Sequence, residues 1–143
     1  MISKLILILL SVKKTLSEKN YNYYELSLQK WCTKDYQIHG LWPQYNSSYY
    51  PTYCKNVTYH QPKGELLNEL NKYWNSCDNT LWEHEWKKHG SCIQYQNNIS
   101  ENDYFNNTVQ LLIKNKNLIN QCNQNSDNCI LSCFDLDYNN IDC

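Results

Sequence analysis

The side chains in this chain best suited to moving protons are His39, His84, Glu85, Lys88 and His89. They fall in two segments, residues 38–43 (IHGLWP) and residues 82–92 (WEHEWKKHGSC). Those segments hold three of the four histidines, two of the three glycines and three of the five tryptophans, so the chemistry is concentrated rather than scattered. Histidine gives or takes a proton near neutral pH. Two histidines with a carboxylate and a lysine supply what phosphoryl transfer needs: a base, an acid, and positive charge for the phosphate oxygens.

The second segment reads as a short helix over residues 81–89. At about 100° per residue, Trp82, Trp86 and His89 fall on one side and Glu83 with Lys87 on another. His89, Glu85, Lys88 and His84 then share the flank between core and solvent, where a cleft wall would lie and where pKa values shift. A solvated charged face with a structural histidine is the plainer reading of this helix alone. A zinc-protease reading fails on spacing. His84 and His89 are five residues apart, which points their side chains about 140° apart on a helix, too far to share one ion. Adding His39 would complete a metal site, but no CxxC or carboxylate pattern supports one.

The elements that must position these groups are legible from periodicity. Residues 23–28 read as a strand with Leu26 and Leu28 on one face, and residues 36–41 as another that ends at Gly40. His39 then projects from a strand end, and Pro43 stops the strand. Residues 46–53 form a polar, aromatic loop. Trp42, Tyr45 and Tyr50 suit either packing or base stacking. Pro62 precedes a helix over residues 63–74 with Leu66, Leu67, Leu70 and Trp74 on one side. Gly90 stands where a left-handed helix cap belongs. Ser100 and Asp103 resemble a capping box for a helix through Lys114, with Phe105, Val109, Leu112 and Ile113 as its buried stripe. Residues 130–134 form a closing strand. The fold class is α+β: an antiparallel central sheet with packed helices, stabilised by disulfides.

At 143 residues the chain forms one domain, residues 18–143, after a signal peptide over residues 1–17. The leader has Lys4 and an apolar run over residues 5–12, but no A-x-A cleavage pattern, and a retained N-terminus is the alternative. The run is too short to span a bilayer, so no membrane anchor is expected. Eight cysteines point to an oxidising compartment. Sequons at Asn46, Asn56, Asn98 and Asn106 fit glycosylation there, although an Asn-rich chain also makes sequons by chance. A net charge of −1 with no basic run excludes a protein that grips nucleic acid over a long phosphate track. Any RNA would be held in a cleft over a few nucleotides.

The two segments, occurring together and in this order, resemble the signature blocks of the ribonuclease T2 family. The resemblance runs over residues 21–113 and again over 130–143. It implies a secreted, extracellular or vacuolar endoribonuclease that needs neither metal nor cofactor, acts as a monomer on single-stranded RNA, and spares DNA. The product would be a 2′,3′-cyclic phosphate, then a 3′-phosphate. By resemblance His89 is the base, His39 the acid, Glu85 and Lys88 the stabilisers of the phosphorane, and His84 a phosphate ligand. Trp42 and Tyr50 would hold one base and Gln29 the other. Leu81 stands where an aromatic residue is common. Cys54–Cys92, Cys32–Cys77 and Cys133–Cys143 have family parallels, which leaves Cys122 and Cys129. An acidic optimum follows if one histidine must start protonated. The chain is shorter than typical members between Ile113 and Ile130, where it is polar and Asn-rich. A binding module on the same scaffold, with activity lost, is the alternative function.

Overall fold

The computed structural model describes residues 20–143; the leader and its boundary at residue 17 lie outside them. Strands β1 (Tyr23–Gln29), β2 (Gln37–Gln44), β3 (Asn128–Phe134) and β4 (Asn140–Ile141) form one antiparallel sheet in the order β2-β1-β3-β4. Tyr24, Leu26 and Leu28 of β1, Ile38 and Leu41 of β2 and Phe134 of β3 are buried on it. The helices are α1 (Gly64–Tyr73), α2 (Leu81–Glu85), α3 (Ser91–Asn97) and α4 (Glu101–Asn115). A five-residue π-turn, Trp86–Gly90, joins α2 to α3, and a 3₁₀ turn, Lys116–Gln121, follows α4. The architecture is α+β, as the periodicity predicts.

Beneath the sheet the core is aromatic. Trp74, Trp86, Tyr104 and Phe105 make a continuous set of ring contacts with centroids 5.3–6.0 Å apart. Each buried indole N–H finds a backbone carbonyl: Trp74 donates to His39, Trp82 to Trp74 and Trp86 to Thr58, at 2.8–3.0 Å. Rings of this size bring large apolar area, and their polar tips must be satisfied when buried. Ser100 and Asp103 form the capping box at the start of α4, and Phe105, Val109 and Leu112 are buried along it. Ile113 is only half-buried.

Two sequence expectations about backbone fail for physical reasons. Pro43 does not stop β2; it pairs with Tyr24, and the strand runs on to Gln44. β2 is the sheet edge, where a missing N–H costs no ladder bond. Gly90 does not cap a helix either. Its φ is not left-handed, and the chain continues through it into α3. Glycine is required there because a Cβ would collide with the Trp86 indole.

The short stretch after Ile113 is closed by polar means. Cys122 and Cys129 are bonded, Leu118 and Ile119 pack half-buried on the core, and the Tyr36 hydroxyl lies 2.8 and 2.7 Å from the carbonyls of Asn123 and Ser126. The remaining disulfides are Cys32–Cys77, Cys54–Cys92 and Cys133–Cys143.

Candidate active site

His39 owes its position to a β-bulge. The β1–β2 register passes from Ser27 opposite Gly40 to Leu28 opposite Ile38, leaving His39 as the extra residue. Bulges re-aim a side chain without breaking a sheet. This one sits inside β2, not at the strand end the sequence predicts. The Trp74 indole donates to the His39 carbonyl at 2.9 Å, so the core holds the bulge in place.

The facing wall is α2 and the π-turn. Trp82 and Trp86 are buried, anchoring the helix as its periodicity predicts. Glu85 and His89 are also buried, Lys88 is half-buried and His84 is exposed. An inserted π-turn of this kind is frequent at functional sites. Here it carries Lys88 and His89 round towards β2.

The two walls meet at Trp42 and Gly40. The Trp42 indole donates to Glu85 Oε2 at 2.8 Å, and Glu85 Oε1 lies 3.6 Å from His39 Nε2. Trp42 stacks on the His89 ring at 5.4 Å and meets the His39 ring edge-on at 5.1 Å. Glu85 rests directly on the β2 backbone at Gly40, where any Cβ would collide with its carboxylate. The glycine of the first segment thus exists for the glutamate of the second.

Two clefts open on either side. Glu25, Trp42, Gln44, Tyr50, Lys88 and His89 line one. Gln29, Trp31, His39, Leu81 and His84 border the other, together with Ser76 and Cys77. Tyr50 comes from an exposed loop, yet its ring is 6.1 Å from that of His89 and 5.9 Å from Lys88 Nζ. The loop is pinned by the Cys54–Cys92 bond and by the Tyr53 N–H, which donates to the Lys88 carbonyl at 2.8 Å. Tyr45 packs against the core and does not line either cleft. Sequence reasoning missed Glu25 and Gln44, whose side chains are joined by a 3.1 Å hydrogen bond from the Gln44 amide. The only signal for them was alternation in β1 and β2, which leaves both among residues that look like ordinary sheet positions.

Burial sets the electrostatics. It pushes the Glu85 carboxyl up to about 7, against the Trp42 hydrogen bond and Lys88. It pushes His39 down to about 4 and His89 down to about 3, with the neighbouring cations adding to the effect. His84 is lowered too, by burial and by Lys88. Glu85 therefore does not keep the neighbouring imidazoles charged: in the free site desolvation outweighs the carboxyl, which is itself neutral below about pH 7. His89 Nδ1 is buried without a hydrogen-bond partner among the described residues, so none of them accepts a proton from that nitrogen. Among the described residues no cluster of His, Cys, Asp and Glu has the geometry of a metal site.

The family model of the ribonuclease T2 family matches residues 12–131. The chain belongs to the ribonuclease T2 family. Extracellular ribonuclease LE of Solanum lycopersicum is 37% identical over 68 residues, covering 42% of this chain and 30% of that protein. The self-incompatibility SF11-RNase of Nicotiana alata superposes with a TM-score of 0.57 at 28% identity, over 66% of this chain and 58% of that one. An RNase-related protein from Calystegia sepium shares the fold at 20% identity, with a TM-score of 0.68 over 87% of this chain and 91% of the other. The curated T2 relatives are much longer: the chain covers 23% to 37% of those it matches.

Within this T2 fold the four sequon asparagines, Asn46, Asn56, Asn98 and Asn106, are all exposed. Asn46 shapes the Tyr50 loop, its side-chain oxygen accepting from the N–H groups of Ser48 and Tyr49. Asn98 ends α3 in the left-handed conformation. No described helix is long and apolar enough to cross a membrane.

Proposed function

We propose that the protein is a metal-independent endoribonuclease that cleaves single-stranded RNA through the ribose 2′-hydroxyl. The observation that carries this reading is the pair of imidazoles, His39 and His89, brought against one indole, each bordering its own cleft. His89 takes the 2′-hydroxyl proton, the 2′-oxygen bonds to phosphorus, and His39 protonates the departing 5′-oxygen. A 2′,3′-cyclic phosphate results, and water adds in a second step to give a 3′-phosphate. Lys88, Glu85 and His84 face the phosphate oxygens. DNA lacks the nucleophile and is left intact.

The polarity of the substrate follows from these roles. The nucleotide that attacks lies in the cleft beside His89, with Trp42 and Tyr50 at its base. The nucleoside that leaves lies in the cleft beside His39, with Gln29 and Leu81. The depressed imidazole pKa values also have a use. His89 is neutral, and so ready as a base, at any pH above about 3. His39 must gain a proton, and a phosphate anion in the cleft stabilises the cationic form. The free protein therefore loses its protonated acid as pH rises through about 4, and substrate extends the active range upward.

An oxidising, extracellular or vacuolar compartment suits four disulfides, and the chain is proposed to act there as a monomer. The test is cleavage of a short RNA in EDTA between about pH 4.5 and 7.5, with the matching DNA as control and His39→Ala and His89→Ala in parallel. Cyclic-phosphate ends from RNA alone, lost in both variants, are expected. A folded protein that cleaves nothing would overturn the proposal and favour a binding module on the same scaffold.

A further inference from the structure

We propose that Trp31 is the stacking platform for the base of the leaving nucleoside. This rests on the ribonuclease reading above for the direction of the substrate. Trp31 is 55% exposed, an unusual state for the largest apolar side chain. It contributes nothing to the buried core, so packing does not explain it. Its ring meets His39 edge-on at 4.7 Å, and it borders the same cleft as His39, Leu81 and His84. The position is held from both sides. The Trp31 N–H donates to the side-chain oxygen of buried Gln29 at 2.9 Å, and Cys32, the next residue, is bonded to Cys77, which lines the same cleft. A flat ring fixed at a rim loses little freedom when a base stacks on it.

The rest of the cleft lining explains the need. Leu81 is half-buried there and offers an aliphatic surface without a π-face. Trp31 supplies the aromatic surface from the β1 end instead. Because its ring also touches the acid, a base stacked on Trp31 places its 5′-oxygen next to His39.

Mononucleotides separate the two clefts. With its phosphate at the catalytic centre, 5′-UMP mimics the leaving side, and 3′-UMP the attacking side. In calorimetric titrations Trp31→Ala should weaken 5′-UMP about tenfold, the scale of one base–aromatic contact, and 3′-UMP less than about twofold. Trp31→Phe, which keeps a ring, should bind 5′-UMP within about threefold of the parent. In kinetics, the kcat/KM of UpU relative to uridine 3′-methyl phosphate, which has no leaving-side base, should fall about tenfold in Trp31→Ala. Equal weakening of both mononucleotides would mean that Trp31 acts through His39 or through folding, and would overturn the inference. So would no weakening at all. A parent protein that binds 5′-UMP in a Trp31-dependent way but leaves UpU intact would overturn the ribonuclease reading and retain the stacking surface.

Discussion

The wall of the candidate active site and the C-terminal segment of this molecule are held by opposite means. The wall, made of β2 and the π-turn, hangs on aromatic core residues: Trp74 fixes the His39 bulge, Trp82 and Trp86 anchor the helix, and Glu85 presses on Gly40. The segment after Lys116 has few buried apolar side chains and is held by two disulfides and by hydrogen bonds to backbone carbonyls. A site whose atoms must not move is built where packing is dense. A segment that only completes the sheet can be stapled. If that contrast is right, changes in the wall should cost activity more than stability, and changes in the tail the reverse.

The sharpest break comes at the histidines. His39→Ala or His89→Ala should lower kcat about a thousandfold or more, with thermal unfolding by circular dichroism little changed. Next is Gly40→Ala. Its Cβ displaces the Glu85 carboxyl from β2, and cleavage should fall on the order of a hundredfold, although Gly40 has no side chain to act on substrate. A normal turnover rate for that variant would show that the glutamate–glycine contact is not needed.

Glu85→Gln tests the electrostatics of the wall. The carboxyl is raised from 4.5 in the unfolded chain to about 7 in the fold. The folded state thus holds an extra proton between those values, and the stability this gives is present below 4.5 and lost as pH rises through 7. Glutamine carries no such loss. Denaturant unfolding should therefore show the variant gaining on the parent as pH rises, by about 3 kcal/mol at pH 8. His39 and His89 act in the other direction, since their lowered pKa values remove stability from the parent as pH falls from 6.5 towards 4 and 3. Activity of Glu85→Gln should fall at the same time.

In the tail, replacing both Cys122 and Cys129 by Ser should destabilise by about 2 kcal/mol, the loop being short, and leave kcat on UpU within about twofold. A large loss of kcat there would merge the two regions and end the comparison.

How much of this was legible beforehand depends on the kind of residue. The helix faces of Trp82, Trp86 and Phe105 and the capping box at Ser100 could be read from spacing, because helical periodicity and caps are local. Gly90 was visible but misread, because its reason lies in the Trp86 ring and not in its own φ. Pro43 was misread because only sheet order reveals β2 as an edge. Gln44 carried only the alternation of an ordinary strand, and nothing local set Trp31 beside His39.

The sequence by itself determined which groups exist to do chemistry, that one short segment carries four of them, that eight cysteines are available to pair, and the α+β class. Those are matters of side-chain type and short-range periodicity. Tertiary structure alone decided that His39 sits on a bulge, that Glu85 lies on Gly40, that burial lowers the pKa of both imidazoles, and that an exposed tryptophan borders His39. The Trp42–Glu85 and Trp74–His39 contacts join residues 43 and 35 apart in the chain, Trp31 meets His39 through the pairing of β1 with β2, and the imidazoles respond to the removal of water; none of these is written in a local pattern.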